Sequence, residues 1–208
     1  MSTPPPAESF GAVLLAAGAG RRMGGCKALL DLGGRPALSH ALDALRDGGV
    51  ESVRVVLGHQ AHDVKERVDL SGCDVVVNPQ PERGQTSSLR AGLALAPWAT
   101  DAWLLHTVDH PLVEASDVAA LLAAWKMRDA QTEILAPSTG SRRGHPVVFA
   151  AALAREFEAL GDEDAAHQVI RRNPERVQHL VLASPWLVHD LDTPDDLAAA
   201  RQALAARG

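Results

Sequence analysis

The chain has 208 residues, of which 46% are hydrophobic and 22% charged, as is ordinary for one α/β domain. Its formal net charge of −6 argues against nucleic acid or an anionic membrane surface as a partner, and no apolar run is long enough to span a bilayer. Two cysteines, Cys26 and Cys73, form no disulfide framework and fit a reducing cytoplasm. The Pro-rich start lacks the features of a signal peptide, so we expect a disordered tail over residues 1–9 and one domain over 10–208.

The stretch from Val13 to Lys27 joins an apolar run of strand-like length to a loop with four glycines, two arginines and a lysine. Glycines let consecutive backbone N–H groups converge on an anion, and the basic side chains add fixed charge for the same oxygens. The stretch therefore predicts a loop that binds a nucleotide triphosphate. A flexible, solvated basic loop is the alternative, but it does not explain why a buried strand leads directly into it.

Two common phosphate loops do not fit this stretch. A P-loop requires Ser or Thr after its Gly-Lys pair, whereas Cys26 precedes Lys27 and alanine follows it. The dinucleotide fingerprint requires a shorter spacing than that of Gly18, Gly20 and Gly24.

Strand-like and helix-like segments alternate along the rest of the chain, which predicts a mostly parallel sheet with helices on both faces. The fold class is thus α/β, a single-domain, three-layer, Rossmann-like sandwich. The later strands are expected at 52–57, 74–78, 103–108, 134–137 and 177–182. Helices are expected at 36–46, from about 86 to 95, at 116–128 and 150–160, before Pro174, and from Thr193 to about 207.

Polar residues follow two of these strands. His59 and His62 are three residues apart and could ligate a metal, but we favour ordinary loop polarity because no carboxylate partner lies nearby in the sequence. Thr86, Ser87 and Ser88 lie where a helix is expected to begin. Their hydroxyls and the free N–H groups of the helix start predict a binding site for a base or a phosphate. Simple N-capping by Thr86 or Ser87 is the alternative, and both roles can hold at once.

Three acidic residues are candidate metal ligands. A buried strand ending at Val108 delivers Asp109 at its carboxyl end, where open α/β sheets bind ligands, and a carboxylate there requires a cationic partner. Capping of the following turn is the alternative. Asp190 and Asp192 lie on one side of an extended segment, and two carboxylates on one side favour a cation between them.

Helix starts and a basic loop complete the pattern. Thr193, Pro194 and Asp196 form a capping-box-like start, Ser116 is the expected N-cap of an amphipathic helix, and Trp125 is expected in the core.

A basic loop over 138–146 carries Arg142 and Arg143, either of which could hold a phosphate in a bidentate fork.

The stretch from Leu15 to Lys27 resembles the L-A-A-G-x-G-x-R-M-G-x-x-K signature of nucleotidyltransferases that join an NTP to a phosphorylated acceptor. Within that MobA-like family it looks most like the molybdenum cofactor cytidylyltransferase and guanylyltransferase branch. Later segments are similar to the family's G-x-x-S-S-L-x-x-G-L, D-x-P, G-x-R-G-x-P-V-x-F and D-x-D-T-P-x-D motifs, so the resemblance covers nearly the whole chain. It implies a nucleotide-diphospho-sugar transferase-like fold and a Mg²⁺ cofactor.

The resemblance also implies roles for individual residues. Lys27 would act at the α-phosphate, Arg22 would neutralise the leaving pyrophosphate, and Asp109 and Asp192 would hold Mg²⁺, with Asp190 as the second choice. Arg143, favoured over Arg142 by family spacing, and His145 would bind the acceptor. The residues expected to contact the nucleotide are Leu15, Ala16, Ala17, Gly18, Gly20, Gly24, Lys27, Ser87 and Ser88.

Leu-Ala-Ala-Gly, rather than Leu-Ala-Gly-Gly, is similar to the cytidylyl-transferring members, so CTP is the first choice of donor and GTP the second. Molybdopterin is the expected acceptor, with a molybdoenzyme or chaperone receiving the product. The chain departs from the family at Val108 and His110, and also at Asp164 and Ala166; the departure over 161–167 leaves a sugar or polyol phosphate open as acceptor. A non-catalytic nucleotide-binding module and an NAD(P)-dependent oxidoreductase are the alternatives from other classes.

Overall fold

The computed structural model describes residues 8–20, 23–95, 100–161 and 164–207. Seven strands form the main sheet and two short strands form a separate hairpin. They are β1 (Phe10–Ala16), β2 (Asp31–Leu32), β3 (Arg35–Pro36), β4 (Ser52–Leu57), β5 (Cys73–Val77), β6 (Ala102–Thr107), β7 (Ile134–Ser138), β8 (Val147–Ala150) and β9 (Val177–Val181). Residues 1–7 of the expected tail lie outside the described part, whereas the Ser9 N–H donates to Asp101 Oδ2 at 2.8 Å.

The main sheet has the order β5-β4-β1-β6-β8-β7-β9 and is parallel except at β8. That strand runs antiparallel to both neighbours, with Leu105 opposite Val147 and Leu135 opposite Val148. The predicted mostly parallel sheet is therefore confirmed. The reversal places the residues that precede β8 at the same edge of the sheet as the residues that follow β1 and β6.

Helices cover both faces of the sheet. They are α1 (Ala37–Asp47), α2 (Ala61–Arg67), α3 (Gln85–Ala94), α4 (Ala115–Lys126), α5 (Ala154–Glu158), α6 (His167–Arg172) and α7 (Pro194–Ala205). Strand β1 is buried throughout because alternate side chains enter two cores: Leu14 packs with α1 and α4, and Val13 packs with α3 and α5. Trp125 lies in the first of these cores, as predicted. The result is the three-layer sandwich that the sequence predicts.

Three local predictions were wrong. Glu114, not Ser116, is the N-cap of α4, because the Asp117 carboxylate accepts the Glu114 N–H at 3.1 Å and fixes the start two residues earlier. Gly84 is the N-cap of α3 with a φ of 98°, so neither Thr86 nor Ser87 caps that helix. The expected helix over 150–160 is divided into a 3₁₀ turn, Ala151–Leu153, and the short α5.

The last helix is anchored as the sequence predicts. The Asp196 N–H donates to Thr193 Oγ1 at 3.2 Å and the Thr193 N–H donates to Asp196 Oδ2 at 2.8 Å, which completes the capping box. Just before it, the Leu191 N–H donates to the Asp109 carbonyl at 2.8 Å, so the 190–192 segment is attached to the end of β6. No helix within the described ranges combines the length and apolarity needed to cross a membrane.

Candidate active site

The glycine-rich loop after β1 is held in shape by its own backbone. The Gly20 carbonyl accepts the Met23 N–H at 2.9 Å and the Gly25 N–H at 3.3 Å. Gly20 has a φ of 58°, and a Cβ there would stand 1.8 Å from the Gly25 oxygen, so no other residue fits. Gly24 is also left-handed, with a φ of 73°. Arg22, the expected pyrophosphate ligand, lies outside the described residues.

Three charged side chains meet at the carboxyl edge of the sheet, from segments far apart in the sequence. Lys27 begins a short 3₁₀ turn, Lys27–Leu29, at the end of the loop. Its Nζ lies 2.6 Å from Asp192 Oδ1 and 3.8 Å from Asp109 Oδ2. The structure thus brings together Lys27, Asp109 and Asp192, as the sequence predicts, with the lysine between the two carboxylates.

Asp109 is held in its ionised form by its neighbours. Burial raises the pKa of this carboxyl, but the charge of His110, a hydrogen bond with Thr107 and the charge of Lys27 together bring the pKa below its usual value. Its Oδ1 atom is buried and has no hydrogen-bond partner within the described residues. An ionised, unpartnered oxygen of this kind is suited to a cation.

Asp190 contacts a different partner from Asp192. Its Oδ1 lies 3.2 Å from His110 Nε2, and the same nitrogen is 4.0 Å from Asp109 Oδ1. Partial burial and the charges of Asp109 and Asp192 raise the pKa of Asp190. Sequence reasoning noted His110 but missed this contact, because it depends on the attachment of the 190–192 segment to β6.

Two more histidines surround His110. The ring centroids of His110 and His145 are 4.9 Å apart, and His106 lies 6.5 Å from each. Burial, together with the charge of His145, lowers the pKa of His110 to about 4, and burial lowers the pKa of His106 well below its usual value. His145 Nδ1 donates to the Leu105 carbonyl at 3.2 Å, which fixes the ring beside the end of β6.

The carboxylates fit a hard divalent cation. Mg²⁺ is commonly bound through one or two carboxylates together with phosphate oxygens of the substrate, and Asp109 and Asp192 supply that number. No set of three or more His, Cys, Asp or Glu side chains within the described ranges is arranged to hold a metal ion by itself. A metal at this edge would therefore complete its coordination with water molecules or with oxygens from a substrate.

A cavity of about 420 Å³ adjoins Lys27 and Asp192. Gly20 and Ala17 line it on the loop side, and His59 and Glu82 line it on the other side. His59 Nε2 lies 3.1 Å from Glu82 Oε2, a carboxylate that the fold brings beside this histidine from a later segment of the chain. Glu82 comes from the turn after β5, and parallel pairing of β4 with β5 places the two strand ends side by side.

The serines expected at the nucleotide already have partners. Asn78 Nδ2 donates to Ser87 Oγ at 2.9 Å and to Ser88 Oγ at 3.0 Å. Ser87 Oγ also donates to the Gly84 carbonyl at 2.8 Å, while Ser88 is buried. The Leu15 side chain is likewise buried in the core. The side chains of all three residues are thus engaged within the protein.

A second cavity, of about 610 Å³, contains the expected acceptor residues. Arg143 and His145 line it together with the side chains of Phe149 and Phe157, which form an apolar part of its wall. Arg83 and Arg171 add further positive charge to the lining. The cavity therefore fits an anionic ligand with an apolar portion.

Comparisons with known proteins agree with this architecture. A family model described as a MobA-like NTP transferase domain matches residues 12–179. The nicotine blue oxidoreductase of Paenarthrobacter nicotinovorans is 35% identical over 188 residues, which cover 88% of this chain and 87% of that protein. The bifunctional protein GlmU of Pelobacter propionicus is 32% identical over 165 residues, and the match covers 77% of this chain but 35% of that protein.

Among solved structures, Rv0371c of Mycobacterium tuberculosis H37Rv superimposes with a TM-score of 0.83 at 28% identity, covering 94% of this chain and 98% of that one. A complex of Rv0371C with manganese has a TM-score of 0.78 at 25% identity, covering 93% and 98%. The family match spans most of the sheet and includes the glycine-rich loop, Lys27 and Asp109. The chain belongs to the MobA-like NTP transferase family of nucleotidyltransferases.

Proposed function

We propose that the protein transfers a nucleotidyl group from an NTP to a phosphorylated acceptor with release of pyrophosphate. The observation that carries the proposal is the meeting of Lys27 with Asp109 and Asp192, 3.8 Å and 2.6 Å away, beside the glycine-rich loop. Nucleotidyl transfer needs positioning and charge neutralisation more than a covalent intermediate, and this set supplies both.

In this reaction an acceptor oxygen bonds to the α-phosphorus while the bond to the β-phosphate oxygen breaks. The backbone N–H groups of the loop bearing Gly18, Gly20 and Gly24 cradle the β- and γ-phosphates. Lys27 stabilises the negative charge that develops at the α-phosphate, and Arg22 neutralises the departing pyrophosphate.

Asp109 and Asp192 would hold the divalent cation, for which we propose Mg²⁺; the manganese complex of Rv0371C supports a metal of this type. Once bound, such an ion polarises the α-phosphoryl oxygen and neutralises its charge. The unpartnered, ionised Asp109 Oδ1 supports the assignment from this chain's own residues.

For the substrates we propose CTP, with GTP second, so that CMP or GMP is transferred, and molybdopterin as acceptor. The Leu-Ala-Ala-Gly sequence supports the cytidylyl donor. Arg143 and His145 line the 610 Å³ cavity and would bind the acceptor there. The product would pass to a molybdoenzyme or its chaperone, while a sugar or polyol phosphate is the alternative acceptor.

The direct test is pyrophosphate release with each of the four NTPs, Mg²⁺ and molybdopterin, compared with a panel of sugar and polyol phosphates. Release with CTP and molybdopterin is the expected result. Release with another acceptor would retain the transfer chemistry and change the substrate. NTP binding without release from any acceptor would contradict catalysis and favour a nucleotide-binding module.

A second candidate function is suggested by a named relative. The nicotine blue oxidoreductase matches this chain over nearly its whole length at 35% identity. In this alternative, the nucleotide cavity holds NAD(P)H and the neighbouring cavity holds an oxidised aromatic compound. A hydride would pass from the nicotinamide to that compound, and the Phe149 and Phe157 walls would suit a flat ring.

The two candidates are separated by a single pair of assays. NAD(P)H oxidation, followed by absorbance with nicotine blue as the electron acceptor, should remain at background if the protein is a transferase. Reduction of nicotine blue that is lost in an Asp109 variant would favour the oxidoreductase. If no NTP also gave pyrophosphate release, the oxidoreductase would replace the transferase proposal.

A further inference from the structure

The position of Lys27 poses a problem for metal binding at the same site. Its ammonium nitrogen is 2.6 Å from Asp192 Oδ1, a hydrogen-bonding distance, and 3.8 Å from Asp109 Oδ2. A magnesium ion binds carboxylate oxygens at about 2.1 Å and strongly repels a positive charge held so close. Lys27 and a divalent cation therefore compete for Asp192.

The lysine side chain is able to leave this position. Its long flexible stem lets the ammonium group move while the backbone stays fixed in the 3₁₀ turn. Lys27 also lines the 420 Å³ cavity beside Gly20 and Ala17, so phosphates bound by the loop would lie within its reach. A triphosphate offers this ammonium group more negative charge than the two carboxylates between which it now lies.

We propose that Lys27 takes the place of the divalent cation in the nucleotide-free protein and that the nucleotide opens the metal site. When the phosphates bind, the ammonium group moves to them and Asp192 becomes available to the metal. Nucleotide and metal then bind with positive coupling, and the protein does not hold the metal tightly alone. The inference rests on the proposed function, since it concerns the order in which the same site is filled.

The test measures Mn²⁺ binding without nucleotide, by the loss of the electron paramagnetic resonance signal of the free ion. In the Lys27→Met variant we expect Mn²⁺ affinity to rise about tenfold, which is within the usual range for coupled sites. The matched control is Arg35→Met, because Arg35 also forms a 2.6 Å ion pair, with Asp43, and neither residue lines the 420 Å³ cavity. It removes one positive charge as well, and its Mn²⁺ affinity should equal that of the wild type.

Two further variants make the result specific. Adding Asp192→Asn to Lys27→Met should abolish the gain in Mn²⁺ affinity, which places the new binding at this carboxylate. Lys27→Gln should reproduce the gain, so that a folding defect in one variant does not decide the outcome. Equal Mn²⁺ affinity in the wild type and both lysine variants, or a gain that survives Asp192→Asn, would overturn the proposal.

The wild type must also bind CTP in the presence of EDTA, measured by calorimetry, since the nucleotide precedes the metal. Tight Mn²⁺ binding without nucleotide, combined with no CTP binding in EDTA, would overturn the proposed order. Pyrophosphate release is measured on the wild type, because Lys27 is itself assigned to the reaction. Release by the wild type, together with unchanged metal affinity in the lysine variants, defeats only the exchange of lysine for metal. A gain in metal affinity in those variants, without any release by the wild type, retains that exchange and defeats nucleotidyl transfer.

Discussion

At the scale of single residues, Asp109 connects the two parts of the site. Its carbonyl oxygen accepts the Leu191 N–H, which holds the segment bearing Asp192 in place. Its carboxylate faces Lys27 on one side and His110 on the other. One residue thus fixes both the backbone and the charge of the proposed metal site.

We predict that Asp109→Asn lowers the rate of pyrophosphate release by about 100-fold or more, because the amide keeps the shape but removes the negative charge. Steady-state kinetics at saturating NTP measures the effect. The Leu191 hydrogen bond involves only the backbone, so thermal unfolding should show a folded protein. Undiminished turnover in this variant would contradict the role of Asp109.

Gly20 provides a second prediction for a single residue. Gly20→Ala places a Cβ within 1.8 Å of the Gly25 oxygen at a left-handed φ, so we expect the free energy of unfolding to fall by about 1–3 kcal/mol. Gly18→Ala is the matched control, because a Cβ there would meet no atom of the described residues within 4 Å. Urea unfolding of both variants measures the difference. Equal stability would mean that the loop does not require the observed backbone conformation.

At the scale of elements, helix α7 depends on its N-terminal cap. Removing the Thr193 hydroxyl leaves the Asp196 N–H without its acceptor, so Thr193→Ala should lower the free energy of unfolding by about 1 kcal/mol. Ser116→Ala changes a serine that lies in the first turn of α4 without capping it. This variant should lower the free energy of unfolding by less than about 0.5 kcal/mol. Denaturant unfolding compares the two. A larger loss for Ser116→Ala would contradict the observed caps.

The elements also show which features sequence patterns can predict. The capping box at Thr193 and Asp196 was predictable because every group it uses lies within four residues. The N-cap of α4 was missed although its groups lie just as close in the sequence, because serine is a favoured N-cap residue and glutamate is not; the signal available was Asp117, three residues after Glu114. The direction of β8 could not be predicted, since a short apolar strand looks the same in either orientation.

The same distinction between local and long-range features applies to the candidate site. Lys27, Asp109 and the glycine-rich loop could be predicted as candidates because they belong to segments that follow strands visible in the sequence pattern. The His110 contact with Asp190 and the His59 contact with Glu82 join residues far apart in the chain. Such contacts depend on strand order and loop attachment, which local periodicity does not encode.

At the scale of the whole molecule, the buried histidines link stability to pH. His106 is fully buried among His110, His145 and Asp109, and its pKa in the folded protein is well below 6.5. The unfolded chain therefore binds a proton below about pH 6.5 that the folded chain does not bind. The free energy of unfolding must fall as the pH is lowered through that value.

We predict that His106→Leu makes the free energy of unfolding less dependent on pH between 6.5 and 5, by about 1.4 kcal/mol per pH unit. Urea unfolding at several pH values gives the slope. Ser116→Ala is the control, since it changes no titratable group in the first turn of α4, and its slope should match that of the wild type. An unchanged slope in His106→Leu would show that this histidine does not titrate differently on unfolding.

The reversed direction of β8 has a consequence for how such a protein can change its specificity. The residues proposed to bind the donor nucleotide lie in segments that follow parallel strands, whereas the expected acceptor residues lie in the segment that precedes β8, with Val147 opposite Leu105. Under the proposed function, substitutions or insertions over 139–146 would reshape the acceptor side while the glycine-rich loop stays attached to β1. The two substrates would then be bound by different segments of one framework, and the acceptor could change without changes in the loop that binds the nucleotide.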